Sequence, residues 1–173
     1  MIRLCAPLIV MLFAAVCAAA TQQSGTVYFE QGYFCALEPV RRDLAENTVS
    51  GDVAIVEGSP NFIGPGPDVP ARIGIGMGVN VQMQPGAGGP ATVEVRHPPM
   101  GLNGVTHQTW QTDLSETNPH YLGYSFDYPY ELVPGLWTLS ASANGRTVYM
   151  VTFNVVPAAQ MPWITCGQNI PLS

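Results

Sequence analysis

Residues 72–83 hold the pattern that most restricts the fold. Ile73, Ile75, Met77, Val79, Val81 and Met83 take every second position, separated by Gly74, Gly76, Gly78, Asn80 and Gln82. A helix would scatter these six apolar side chains around its circumference. A pleated strand gathers them on one face. The segment is therefore expected to be a strand with one buried side. Its other side carries Gly74, Gly76 and Gly78, and glycine weakens a strand unless something approaches closely. An aromatic side chain or a neighbouring segment is expected across that glycine face, and a shallow ligand groove is the functional alternative.

The rest of the chain reads in the same way. Residues 26–37 form a first strand with Val27, Phe29, Tyr33, Cys35 and Leu37 inward, stopped at Glu38-Pro39. Residues 39–51 carry much charge and few β-formers, so they read as an exposed connection, followed by a short strand at 52–57. Residues 58–70 hold Pro60, Gly64, Pro65, Gly66, Pro67 and Pro70 and read as a loop. Further strands are expected at 92–97, 104–114 and 121–128. Residues 136–142 and 146–156 flank Asn144-Gly145, the residue pair that accommodates the positive φ angles of a type I′ hairpin turn. No segment has a helical period. The expectation is an all-β domain, a sandwich of about 7–9 short antiparallel strands.

The amino end has the three parts of an export signal: Arg3, an apolar run from Leu4, and Ala18-Ala19-Ala20 before polar Thr21. We expect residues 1–20 to be cleaved. A retained membrane anchor and lipid attachment at Cys17 are the weaker readings. Residues 21–173 are then one domain, periplasmic or secreted, with no stable membrane span. It carries twelve acids against five arginines and no lysine. Such a chain cannot neutralise phosphates, which excludes nucleic acid as a partner. Two cysteines remain, Cys35 and Cys166, an even number suited to an oxidising compartment. They either pair, closing a loop of about 130 residues worth roughly 5 kcal/mol on the chain-entropy model, or stay as two buried thiols. The domain organisation expected is a core over about 26–156 with a tail tied back by Cys166.

Pro134-Gly135-Leu136-Trp137-Thr138-Leu139, then Asn144-Gly145, then Phe153-Asn154-Val155 resemble the closing hairpin of immunoglobulin-like extracellular domains. A fuller pattern adds the aromatic first strand ending at Cys35, the glycine-bearing segment 73–79, His97-Pro98-Pro99-Met100 and Tyr130-Glu131-Leu132-Val133-Pro134-Gly135. Together these resemble the exported bacterial family known as domain of unknown function 3859, over roughly residues 26–156. The resemblance implies an immunoglobulin-like β-sandwich. It implies no activity and transfers no functional residue.

Candidate chemistry is sparse. The histidines, His97, His107 and His120, show no zinc spacing and read as surface or turn residues. His97, Met100 and His107 could hold copper. No Gly-x-Ser-x-Gly occurs, and no pair of acids is marked as catalytic. Glu131 is expected to bond turn backbone, and Trp137 to lie in the core. Trp110, Tyr121, Tyr124, Tyr128, Tyr130 and Trp163 could stack on sugars or a partner. The leading expectation is a non-enzymatic module without a cofactor or resident metal, binding a protein or envelope component. Its candidate binding residues are His97, Met100, His107 and Trp110. Copper binding is the first alternative and an unrecognised hydrolase the second.

Overall fold

The computed structural model describes residues 22–166, and the export signal expected at residues 1–20 lies outside them. Twelve strands occur among these residues: β1 (Gln22–Gln23), β2 (Thr26–Cys35), β3 (Arg41–Leu44), β4 (Asp52–Ile55), β5 (Phe62–Gly64), β6 (Asp68–Ala71), β7 (Ile75–Met83), β8 (Gly89–Met100), β9 (Val105–Leu114), β10 (His120–Ser125), β11 (Gly135–Ala143) and β12 (Arg146–Pro157). Single 3₁₀ turns follow β10 at Pro129–Glu131 and β12 at Ala158–Gln160. One sheet runs β1-β12-β11-β8-β9, with β6 also beside β12; the second runs β10-β7-β2-β5; β3 and β4 form a separate hairpin.

The strand count exceeds the seven to nine expected. Residues 39–51, read as a connection, contain β3, and the Pro/Gly-rich stretch 58–70 contains β5 and most of β6. These strands have three or four residues, too few to show a period. They are held by what they dock against. One pairing is also parallel rather than antiparallel: residues 68–71 of β6 lie beside 154–157 of β12.

The alternation of β7 builds the core. Ile75, Met77, Val79, Val81 and Met83 are all buried. Across the sandwich they belong to one apolar cluster with Val93 and Val95 of β8, Trp137 and Leu139 of β11, and Val151 and Phe153 of β12. Trp137 is fully buried, with Phe126 at 5.5 Å and Tyr124 at 5.2 Å between ring centroids. Its Nε1–H donates to Val133 O at 3.0 Å, which satisfies the one polar group a buried indole carries. Ile73 does not join the core: it is 46% exposed, because Gly74 at φ +80° turns the chain just before β7 begins.

The glycine face is covered, as expected, at Gly76 and Gly78, whereas Gly74 has open space beside it. A side chain at Gly76 would strike the Phe34 ring and Ser125 Oγ, and one at Gly78 would strike Leu122 O and Tyr121. Phe34 meets Tyr121 edge-on at 5.0 Å and Phe62 at 6.0 Å, so an aromatic layer fills what would otherwise be a groove. The phase read for β2 holds at Tyr33, which is in the core cluster, and at Phe29, which packs against it. Val27, at a register shift between Thr26 and Tyr28, and Leu37, beyond the end of β2, are exposed, while Phe34 is buried on the opposite face, in the aromatic layer.

The closing hairpin turns at Asn144 (φ 52°) and Gly145 (φ 71°), the backbone expected of its Asn-Gly pair. Cys35 and Cys166 are disulfide-bonded, with Cα atoms 5.2 Å apart. The bond ties the segment after β12, including buried Ile164, to the end of β2.

Candidate functional site

Strands β9 and β10 are the edges of the two sheets, and they border the same open side of the sandwich. Inward positions there are not all apolar. His97 follows Val93 and Val95 on the inward parity of β8, and Gln108 lies opposite Val95 in β9. Both are buried, and Glu131 is as well.

These groups form one chain of hydrogen bonds. His97 Nδ1 lies 2.8 Å from Pro98 O. A carbonyl only accepts, so Nδ1 carries the proton and Nε2 is left to accept. Gln108 Nε2–H fills it at 3.2 Å and donates its second hydrogen to Tyr124 Oη at 3.3 Å. Gln108 Oε1 accepts from Val49 N–H at 2.7 Å. Tyr124 Oη–H donates to Glu131 Oε1 at 2.8 Å. Glu131 Oε2 accepts from the N–H groups of Asp127 (2.6 Å) and Tyr128 (2.8 Å). The network joins β8 and β9 of one sheet, β10 of the other, and the β3–β4 hairpin.

Burial sets the protonation of its members. Loss of water lowers the His97 pKa; the Pro98 carbonyl opposes this, and His107 adds a smaller lowering. Burial raises the Glu131 carboxyl, and the donors from Tyr128, Tyr124 and Asp127 pull it back. Burial, then the Glu131 charge, also raises the Tyr124 hydroxyl. The His97 ring lies 4.7 Å from the Trp137 ring, so the network rests on the aromatic core.

Above it is a cleft of about 860 Å³. The β3–β4 hairpin straddles it. The hairpin's turn docks on β9, where Thr109 N–H donates to Asn47 O at 3.2 Å. Arg42 reaches to the far side: Nη1 meets Asp52 Oδ1 and Nη2 meets Asp127 Oδ2, each at 2.8 Å. These two carboxylates raise the Arg42 pKa. Trp110, Tyr124 and Tyr128 line the cleft, and Tyr130 stacks on Tyr128 at 5.3 Å with rings 6° from parallel. The His120 ring is in the wall. Its nitrogens are buried without a well-formed hydrogen bond, and burial lowers its pKa, opposed by the Val81 backbone.

Residues 23–155 match the family described as a domain of unknown function (DUF3859). The chain belongs to this family. The match agrees with the resemblance drawn from residues 26–156. No curated protein matches the chain. Among solved structures, an immunoglobulin-like protein from Pseudomonas aeruginosa aligns with a TM-score of 0.50 at 20% identity, covering 81% of this chain and 99% of that one. At that identity the likeness carries the fold alone: this DUF3859 domain is an immunoglobulin-like β-sandwich.

The structure separates the four candidate binding residues. His97 belongs to the buried network, with both ring nitrogens engaged. Met100 is 2% exposed, in the core. His107 is exposed and pairs with Arg96, on the opposite face from His97. It lines a shallow hollow with Glu46 and Thr109. Trp110 is in the cleft wall. Among the described residues, no group of three or more His, Cys, Asp and Glu side chains could hold a metal ion. The reading of the histidines as surface or turn residues fits His107, fails for His97, which is buried in β8, and holds in part for His120, half-buried at the start of β10. Glu131 bonds turn backbone as expected.

Two residues central to the site went unread. Gln108 has no sequence signal, since a glutamine at an inward strand position looks the same as one facing water. Arg42 was assigned to an exposed connection. The spacing from Arg41-Arg42 to Asp52, around a Thr-Val-Ser-Gly turn, was the signal available.

Proposed function

We propose that this DUF3859 domain is an exported, non-enzymatic binding module that holds a protein or envelope component in the cleft under the β3–β4 hairpin. One observation carries the reading. The cleft is walled by aromatic rings and sheet edges, and its floor is a polar network whose donors and acceptors are already paired. Such a surface binds through shape and backbone contact. A general acid or base needs a free direction for proton transfer. Glu131, with both oxygens engaged by three donors, is built to hold the turn after β10. His97 spends both nitrogens in the same way, which favours a structural part for it over a copper ligand. No helix among the described residues is long and apolar enough to cross a membrane.

The test is capture from the envelope of the source cell by tagged residues 21–173, compared with Trp110→Ala and Tyr128→Ala variants. The expected result is a partner retained by the unaltered domain and lost from both variants. Retention by the variants would remove the cleft from the reading. Turnover of an ester, glycoside or peptide panel would remove the non-enzymatic assignment.

A further inference from the structure

The cleft is lined by consecutive residues rather than alternate ones. Residues 119–128 all line it, and so do residues 52–56. A strand that offers a face contributes every second residue; one that offers its edge contributes every residue. The cleft therefore runs between two sheet edges, those of β10 and β4.

Register shows which backbone groups point into it. Phe126 N–H donates to Ile75 O at 2.9 Å. In an antiparallel pair, hydrogen-bonded residues alternate. Phe126, Tyr124 and Leu122 thus face β7, and the amides of Tyr121, Gly123 and Ser125 point to the free edge. In the hairpin, Ala45 N–H donates to Gly51 O at 2.9 Å. By the same alternation Val53 and Ile55 face β3, and the Ala54 amide points away. Among the described residues β10 pairs only with β7, and β4 only with β3.

We propose that this vacant position between β4 and β10 receives an extended cationic peptide segment of the partner, paired by strand addition along both edges. The proposal rests on the binding reading above and names its occupant. Charge supports a cationic chain. The lining carries Glu38, Asp52, Asp127 and Glu131 against a single base, Arg42, and Arg42 is already held between two of these acids. Backbone pairing would supply affinity, while the net negative charge of the lining would favour lysine or arginine over acidic residues in the segment.

The probe is a fluorescein-labelled octapeptide of alternating lysine and valine, titrated by anisotropy against disulfide-intact residues 21–173. Three modified peptides accompany it: one N-methylated at the lysine amides, one at the valine amides, and one with glutamate for lysine. Saturable binding of the parent is expected. Each N-methylated peptide should bind about tenfold or more weaker, since each set removes several edge hydrogen bonds. The glutamate peptide should not bind. Ala54→Pro, which removes an edge donor from an exposed position, should weaken the parent peptide by about fivefold or more.

No saturable binding of the parent would overturn the proposal. So would an N-methylated peptide as tight as the parent, or a glutamate peptide as tight. Should Ala54→Pro disturb the hairpin, the N-methylated peptides still decide on the unaltered protein. Deletion of residues 167–173 should leave the affinity unchanged. A rise of about tenfold would place the chain's own tail in the slot and overturn the partner assignment. If the peptides fail while the envelope partner still depends on Trp110 and Tyr128, strand addition falls and the binding reading stands. If both fail, both fall.

Discussion

Replacement of Gln108 by leucine tests whether the buried network holds the open side together. Gln108 is 2% exposed and makes three hydrogen bonds, to Val49 N, His97 Nε2 and Tyr124 Oη. Leucine nearly matches its volume and makes none. Tyr124 keeps Glu131 as acceptor and loses only an incoming donor. His97 Nε2 and Val49 N–H lose their partners. A buried group left unpaired costs about 1–3 kcal/mol; Val49 is only half-buried and takes the low end. The leucine returns about 1 kcal/mol of apolar burial. The net loss is therefore about 1–3 kcal/mol, measured as a lower urea midpoint at unchanged m-value with the disulfide intact. Hydrogen exchange adds a local readout: the Val49 amide should lose its protection. A double replacement, His97→Leu with Gln108→Leu, removes both ends of one bond. It should cost less than the sum of the singles by about 1 kcal/mol. A single-variant loss below about 1 kcal/mol, or strict additivity, would refute the reasoning.

Replacing Cys35 and Cys166 by serine should cost up to about 5 kcal/mol of unfolding free energy for a closed loop of this length; a urea midpoint unmoved by the change would contradict that. Gly78→Ala should cost about 2 kcal/mol or more, because the added carbon meets Leu122 O at 2.5 Å. Gly74→Ala, with open space but φ +80°, should cost only about 1 kcal/mol, so thermal melts should rank the two. Acidification should destabilise the fold. His97 and His120 titrate below 6.5 when folded, so the unfolded chain takes up their protons first and stability falls as pH drops through 6.5. Glu131, raised from 4.5, has the opposite sign and offsets part of the loss once pH falls below its raised value. Urea midpoints from pH 7.5 to 5 should decline, and His120→Leu should flatten the slope; an unchanged slope would show that His120 does not contribute.

Legibility followed the length of the periodic signal. β7 and the Asn144-Gly145 hairpin were readable because each repeats one pattern over many residues, and Trp137 because an indole so placed has few alternatives to the core. The Gly76 and Gly78 cover was readable as a need, though not as Phe34 and Tyr121. β3, β5 and β6 were hidden, since strands of three or four residues owe their shape to neighbours distant in sequence. The phase of β2 was legible at Phe29 and Tyr33; Val27 falls at a register shift, Leu37 lies past the strand's end, and the burial of Phe34 on the other face needs the Phe62 and Tyr121 rings, which no period within β2 reveals. His97, Met100, His107 and Trp110 are close in sequence, but proximity along two adjacent strands says nothing about faces. The pleat sends His97 and Met100 inward and His107 outward.

An open sandwich must also manage its edges, and here that requirement meets the site. Natural edge strands are blunted by proline, lysine, bulges or a covering segment. β9 is covered at Thr109 by Asn47, and β12 is flanked by β1 and β6. β10 has no such guard of its own: Tyr121, Gly123 and Ser125, whose amides point to its free edge, bring neither charge nor proline. Its cover is the β3–β4 hairpin, held across the cleft by Arg42. The Arg42 and Asp127 side chains are 35% and 31% exposed, and an ion pair that open to water contributes little net stability. The hairpin's firm attachment is instead at its turn, through Val49 and Asn47. It is fixed at the β9 end and weakly held at the β10 end, an arrangement that shields the β10 edge from other copies of the chain and still lets a segment with stronger backbone pairing take that edge.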